Sequence, residues 1–405
     1  MRKRSIRIGG LGAIALAYSM PSHAATVINL VDVGGNVAGT QAELGFKIAA
    51  SFWERTLTND ANLIFNTSFA VLPDRVIGGA SSNTRSVLVQ DIKARLVATG
   101  TSELDRMASG HIALVDGKDG VKAINAITNG YINPNSRSGI SAKSTRFDND
   151  GTINNEVLNV NTANLKALGL PTLFSSNTSD ATIEFSSALS FDFNPTDGIS
   201  EGSLDFIGVA IHEMGHALGF VSGVDFYDFF SDASPVAEFT TDLQVDKEAI
   251  ATPLDLFRYS APGQLDWSVR TASYFSIDGG DSQVFGRSLM STGQFAGDGR
   301  QASHWKDSAA CTNDYGILDP TFCFRQMGVV TSLDLAGMDA IGWNIGFDVL
   351  NSPNYRYSTS DLYKAFFASA VPESATWIQM IIGFGVIGGV MRRNVRRYRL
   401  APAHL

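Results

Sequence analysis

The sequence predicts an α+β fold: a mixed sheet near the N terminus, one central helix, and a long, irregular C-terminal lobe. Three observations support this. Within the first 72 residues an apolar strand, a helix and a second strand follow one another, the β-α-β order of a sheet packed by helices. A helix-period apolar stripe then runs through residues 203–219. Glycine (39 of 405 residues), together with frequent Asn, Ser and Thr, breaks the rest into short segments and turns.

In order, Thr26–Val33 (TVINLVDV) reads as a buried strand, Gln41–Leu57 as a helix, and Ala61–Leu72 as strand material. Arg85–Thr99 has the pattern of a second amphipathic helix, and strands are expected near 182–186 and 189–193. Ser203 offers an N-cap for the central helix, with Asp205 in its first turn and Gly219 at its end. Thr331 and Asp334 form a capping box for a helix over Thr331–Ile341, which Gly342 closes. Residues 351–371 read as a linker.

Both ends have the composition of targeting segments. Arg2, Lys3, Arg4 and Arg7 precede an apolar run from Ile8 to Tyr18, and small residues follow up to Ala24. This predicts a signal peptide over 1–24 and an exported protein. Ala375–Met391 is nearly free of charge and is followed by Arg392, Arg393, Arg396, Arg397 and Arg399, the pattern of a membrane helix with a basic cytoplasmic flank. With Pro372-Glu373 just ahead, residues 372–405 resemble the PEP-CTERM sorting signal of Gram-negative bacteria. The resemblance implies exosortase-type sorting machinery as a partner and a cell-surface or extracellular location. Ser374 stands where the usual motif has a second proline. The domain between the two ends is then 25–350.

Of 31 basic and 40 acidic residues, the two ends hold 9 and 1, leaving 22 against 39 in residues 25–371. A net charge of −17 argues against nucleic acid as a partner. Cys311 and Cys323 are the only cysteines, and in an exported chain they are expected to pair.

The chemistry is concentrated in IHEMGHALGF, residues 211–220. His212 and His216, four apart on a helix, present both imidazoles on one face, opposite the stripe of Ile207, Ile211, Met214 and Leu218. Glu213 stands beside them as a general base. With 6 His and 10 Glu in 405 residues, chance yields about 0.002 such H-E-x-x-H matches. Two histidines hold zinc poorly, so a third ligand is needed. His23 and His404 fall in the two ends, leaving His111 and His304, with Asp225 and Asp228 as carboxylate alternatives. His304, in the polar loop GDGRQASHWKD, is favoured; His111, in SGHIALV, reads as a structural residue at a strand start.

HEMGHALGF, followed far downstream by SHWKD, GILDPTF and LDLAGMDAIGW, resembles secreted bacterial metalloproteases related to leishmanolysin, in the metzincin clan. The similarity spans about residues 205–345. It implies a two-lobed zinc endopeptidase with Zn²⁺ on His212, His216 and His304, Glu213 as catalytic base, and an extended protein or peptide substrate paired to an edge strand, placed somewhere in Thr182–Phe193. The compact metzincin pattern would put a third histidine where Ser222 stands; the leishmanolysin-like branch takes it from downstream. Leu318 occupies the place of the clan's methionine turn, with Met327 as the alternative. Asp307 or Asp319 would orient a ligand histidine. Tyr315 reads as a plain loop tyrosine, with assistance to an oxyanion as its other reading. Asp148-Asn149-Asp150-Gly151 is a turn with calcium (Ca²⁺) as its other reading. The alternative function is a non-catalytic surface or matrix protein with a structural zinc site.

Overall fold

The computed structural model describes residues 25–35, 39–74, 76–170, 178–308, 311–312 and 315–370; the signal peptide and the sorting segment lie outside them. Mixed α and β structure is present throughout. A four-stranded sheet is built from β1 (Val27–Gly34), β2 (Asn62–Ala70), β3 (Gly78–Ser82) and β4 (Ala181–Ser186), in the spatial order β1-β2-β4-β3. The first three in that order run parallel, and β3 is antiparallel to β4, with Gly79 opposite Glu184.

Helix α1 (Gln41–Thr56), capped by the Thr40 hydroxyl, packs against the inner face of this sheet through Phe46, whose ring centroid stands 5.1 Å from that of Phe185. A side chain at Gly45 would collide with Phe206, so the glycine lets α1 lie directly on the central helix α4 (Phe206–Ala217). Trp53 Nε1 seals this contact by donating to Ile211 O. Between β3 and β4 the chain forms α2 (Val89–Thr99) and α3 (Glu103–His111). Residues 85–88, expected to open α2, instead belong to a strand, Thr84–Leu88, paired with Val157–Asn161. The β-branched Val87 favours an extended backbone there, and Leu88 stands at the N-cap without a side-chain cap.

After α5 (Val224–Phe229), no regular element among the described residues exceeds five residues until β5 (Val329–Thr331) and α6 (Ser332–Ala340). The capping box of Thr331 and Asp334 is present, and Gly342 takes φ +106° at the helix end. Residues 351–370, expected to be a linker, are instead β6 (Arg356–Ser358), paired with β5, and α7 (Thr359–Ala370), which packs against α1. Leu362 joins the one apolar core that begins at Ile28, and Thr359 Oγ1 donates to the buried Asp205. Leu362 and the half-buried Tyr363 and Phe366 face the core, but the exposed Phe367 beside them blurs the helical period in the sequence. No helix among the described residues is long and apolar enough to cross a membrane.

One buried carboxylate makes this core sensitive to pH. Asp339 on α6 accepts from Ser102 Oγ at 2.9 Å, while its Oδ1 has no partner among the described residues. Burial, and then the neighbouring Asp105, push its pKa up to about 8, against about 3.9 in an unfolded chain. The folded state therefore keeps a proton that the unfolded state has released, and stability present at low pH is lost as pH rises through this window. Asp339→Asn is expected to raise the melting temperature by several degrees at pH 8 and by little at pH 4, where the unfolded carboxyl is itself about half protonated, measured by scanning calorimetry. An equal shift at both pH values would contradict the assignment.

A candidate metal centre at the floor of a cleft

The helix that carries the motif is buried on every side, including the histidine face. Its N-cap is Asp205 rather than Ser203: the Asp205 carboxylate accepts from Gly208 N at 3.0 Å and from Gly328 N at 2.8 Å, a tertiary tie that fixes where the helix begins. The apolar stripe of Ile207, Ile211, Met214 and Leu218 is fully buried. At the other end Gly219 adopts φ +118°, and Phe220 N donates to Gly215 O, closing the helix with a left-handed turn. Asn161 Nδ2 and Trp343 Nε1 satisfy the terminal carbonyls of His216 and Leu218.

His304 arrives from 88 residues beyond His216 and completes a triangle of imidazoles. The Nε2 atoms stand 3.0 Å (His212–His216), 3.1 Å (His216–His304) and 3.2 Å (His212–His304) apart. Each Nδ1–H is committed to a backbone carbonyl: His212 donates to Ile317 O, His216 to Phe220 O, and His304 to Gln301 O. Three neutral imidazoles in this tautomer point three lone pairs at one another, which is repulsive unless a cation lies among them. Burial drives all three away from carrying their own proton: His212 falls to about 3, His216 lies below its usual range, and His304 well below it. Nitrogens held about 2.0–2.1 Å from one zinc at near-tetrahedral angles stand about 3.3 Å apart. The donor set and its spacing therefore fit a divalent metal with one open position.

Glu213 lies beside the triangle, 6% exposed, at the floor of a cleft of about 470 Å³. Burial pushes its carboxyl up to about 8; a divalent cation nearby acts in the opposite direction. One wall of the cleft is β3. A Cβ on Gly78 would stand 3.3 Å from Glu213 Oε1, so glycine there brings the strand backbone close to the carboxylate. The other wall is formed by Gly299, Arg300, Gln301, Ser303 and His304, with Pro320 and Phe322.

The structure corrects several expectations. The strand at the cleft is β3; Thr182–Ser186 lie in β4, which is paired on both sides. His111 is at the C-terminal end of α3, away from the triangle, and its Nδ1 donates to Met107 O. Asp225 and Asp228 accept backbone N–H groups of the loop 295–303 and are not part of the triangle. Asp307 and Asp319 orient no histidine: Asp307 pairs with Arg300, and Asp319 accepts from Ser308 and Thr321. Tyr315 is not among the residues that line the cleft.

Leu318, fully buried, packs under the helix at Gly215, where a Cβ would meet it at 2.8 Å. Met327 is only partly buried. Asp148 pairs with Arg146 and accepts from Asn154, and Asp150 pairs with Arg137, so arginines balance the charge in the calcium-like turn. Cys311 and Cys323 are joined, bracketing the loop that supplies Ile317, Leu318 and Phe322.

Asp334, read from sequence only as a helix cap, also accepts from Ile317 N, Leu318 N and Trp305 Nε1. It thereby links Ile317, whose carbonyl accepts from His212, to Trp305, the neighbour of His304. A Cβ on Gly316 would overlap Asp334, which is why glycine is required there, at φ +132°. The glycine at 316 was the one sequence signal of this junction.

In comparisons with known proteins, the chain matches no family model, no curated protein and no solved structure.

Proposed function

We propose that the chain is an exported zinc-dependent endopeptidase that hydrolyses peptide bonds of proteins, with His212, His216 and His304 as metal ligands and Glu213 as general base. The observation that carries this reading is the triangle of converging Nε2 lone pairs beside a buried glutamate in an open cleft. A purely structural zinc site has four protein ligands and no need of a base. Here three ligands converge and the fourth side faces the cleft.

A metal held by the three histidines supplies Lewis acidity, acidifying water and polarising a carbonyl. The protein's own residues do the rest. Glu213, whose carboxylate forms no ion pair among the described residues, takes the proton from water and returns it to the departing amine. The three backbone carbonyls hold the imidazoles in one tautomer and keep them basic toward the metal. β3 is the outer strand of its sheet, and its free edge offers N–H and C=O groups to an extended peptide laid antiparallel along it. Gly78 and Gly79 leave that edge without bulk, so the peptide can approach Glu213. This arrangement also supports the resemblance to leishmanolysin-like metzincins, as does the arrival of the third histidine from far downstream.

The test is cleavage of casein by the purified full chain, before and after a zinc chelator. Activity should vanish with the chelator and return with added zinc. A chain that holds one zinc and cuts nothing would favour the structural-zinc alternative.

A further inference from the structure

We infer that Asp225 is a positioning residue for His304, acting on metal affinity through that ligand alone; the inference rests on the metal reading above. His304 lies on a loop with no regular secondary structure beyond two isolated bridges, Met290 with Trp305 and Gly293 with Arg300. A ligand on such a segment is placed only as well as its backbone is held.

What holds it is the short helix α5, which follows the histidine helix directly. Asp225 accepts from Ala302 N at 2.6 Å, from Ser303 N at 3.1 Å, and from the Ser303 hydroxyl. Asp228, one turn on, accepts from Phe295 N and Ala296 N, both at 2.8 Å. Ser303 Oγ in turn accepts from Ser222 N at 2.8 Å. Ser222 is the position at which a compact motif would carry its third histidine. In this chain that position grips the residue before His304 instead. Six residues past His216 this chain has a tether to the segment that carries His304, 88 residues beyond His216.

Asp225 also lines the cleft but is not part of the triangle, and its carboxylate is engaged by the 302–303 segment, so its effect on the metal passes through the backbone of 302–304. That separates it from a fourth ligand and from a general stabiliser. Zinc affinity of the full chain is measured by chelator competition for wild type, Asp225→Asn, His304→Ala and the double variant. Asparagine preserves shape and one acceptor but loses the other, and loss of such outer contacts lowers metal affinity by about 10–100-fold. That drop is expected in the wild-type background and should disappear in the His304→Ala background, where the positioned ligand is gone.

An equal loss in both backgrounds, or none in wild type, overturns the inference. Zinc uptake by wild type separates the two levels: if wild type takes up no zinc, the metal reading falls as well. If wild type binds and Asp225→Asn binds equally, only the positioning role falls. Should Asp225→Asn fail to fold, Ser303→Ala takes its place. It removes the hydroxyl shared by Asp225 and Ser222 and is expected to follow the same pattern in the same cycle.

Discussion

Glu213→Gln is expected to lower kcat/KM for an unfolded protein substrate by about 10²–10⁴-fold while leaving one zinc bound per chain. Glutamine has the same shape and keeps its place at the cleft floor, but it cannot take the proton. The side chain makes no ligand contact: the triangle closes through His212, His216 and His304 without it. Metal content, measured on the same preparation as cleavage, therefore separates loss of the base from loss of the site. Retention of a tenth or more of wild-type activity would remove Glu213 from its role, and a parallel loss of zinc would recast it as a structural residue.

His304→Ala should weaken zinc binding on the order of 10²–10³-fold, roughly one ligand's share of the 10–16 kcal/mol of a structural site, and abolish cleavage at nanomolar free zinc. The competing assignment gives the third position to Asp225. That carboxylate is already engaged by two backbone N–H groups and a hydroxyl of the 302–303 segment. If zinc affinity survives the change at 304, the histidine triangle is not the binding site. Calorimetric titration with a buffered zinc competitor reads the difference directly.

The histidine helix was legible because two periodicities coincide in it: the i, i+4 histidines and the apolar stripe opposite both follow from 3.6 residues per turn. His304 was reached by counting, since only 6 histidines exist and two fall in the ends. Its geometry could not be read, because the bonds that place it join segments 77–81 residues apart. β3 escaped notice for a different reason. GGASS has neither apolar alternation nor β-branched residues, and it is a strand only because β4 lies beside it. Asp205 displaced Ser203 as N-cap through Gly328 and Thr359, partners more than 120 residues away. Local signals placed the helices, and long-range hydrogen bonds decided their ends and the shape of the cleft.

The order of the sheet has a consequence for how the protein comes into being. β2 and β4 pair across 116 residues of chain, and β3, though made early, finds its partner only in β4. Pairing over that distance is slow, because loop closure precedes any reward from contacts. A chain that emerges N terminus first thus carries Gly78–Ser82 as an unpaired segment until residue 186 has followed. Throughout that interval the rim of the cleft does not exist, and His304 is still more than a hundred residues from emerging. On the proposed reading, a nascent molecule therefore has neither the cleft rim nor the third histidine until nearly all of residues 25–350 have emerged and folded, and it gains cleavage activity only then.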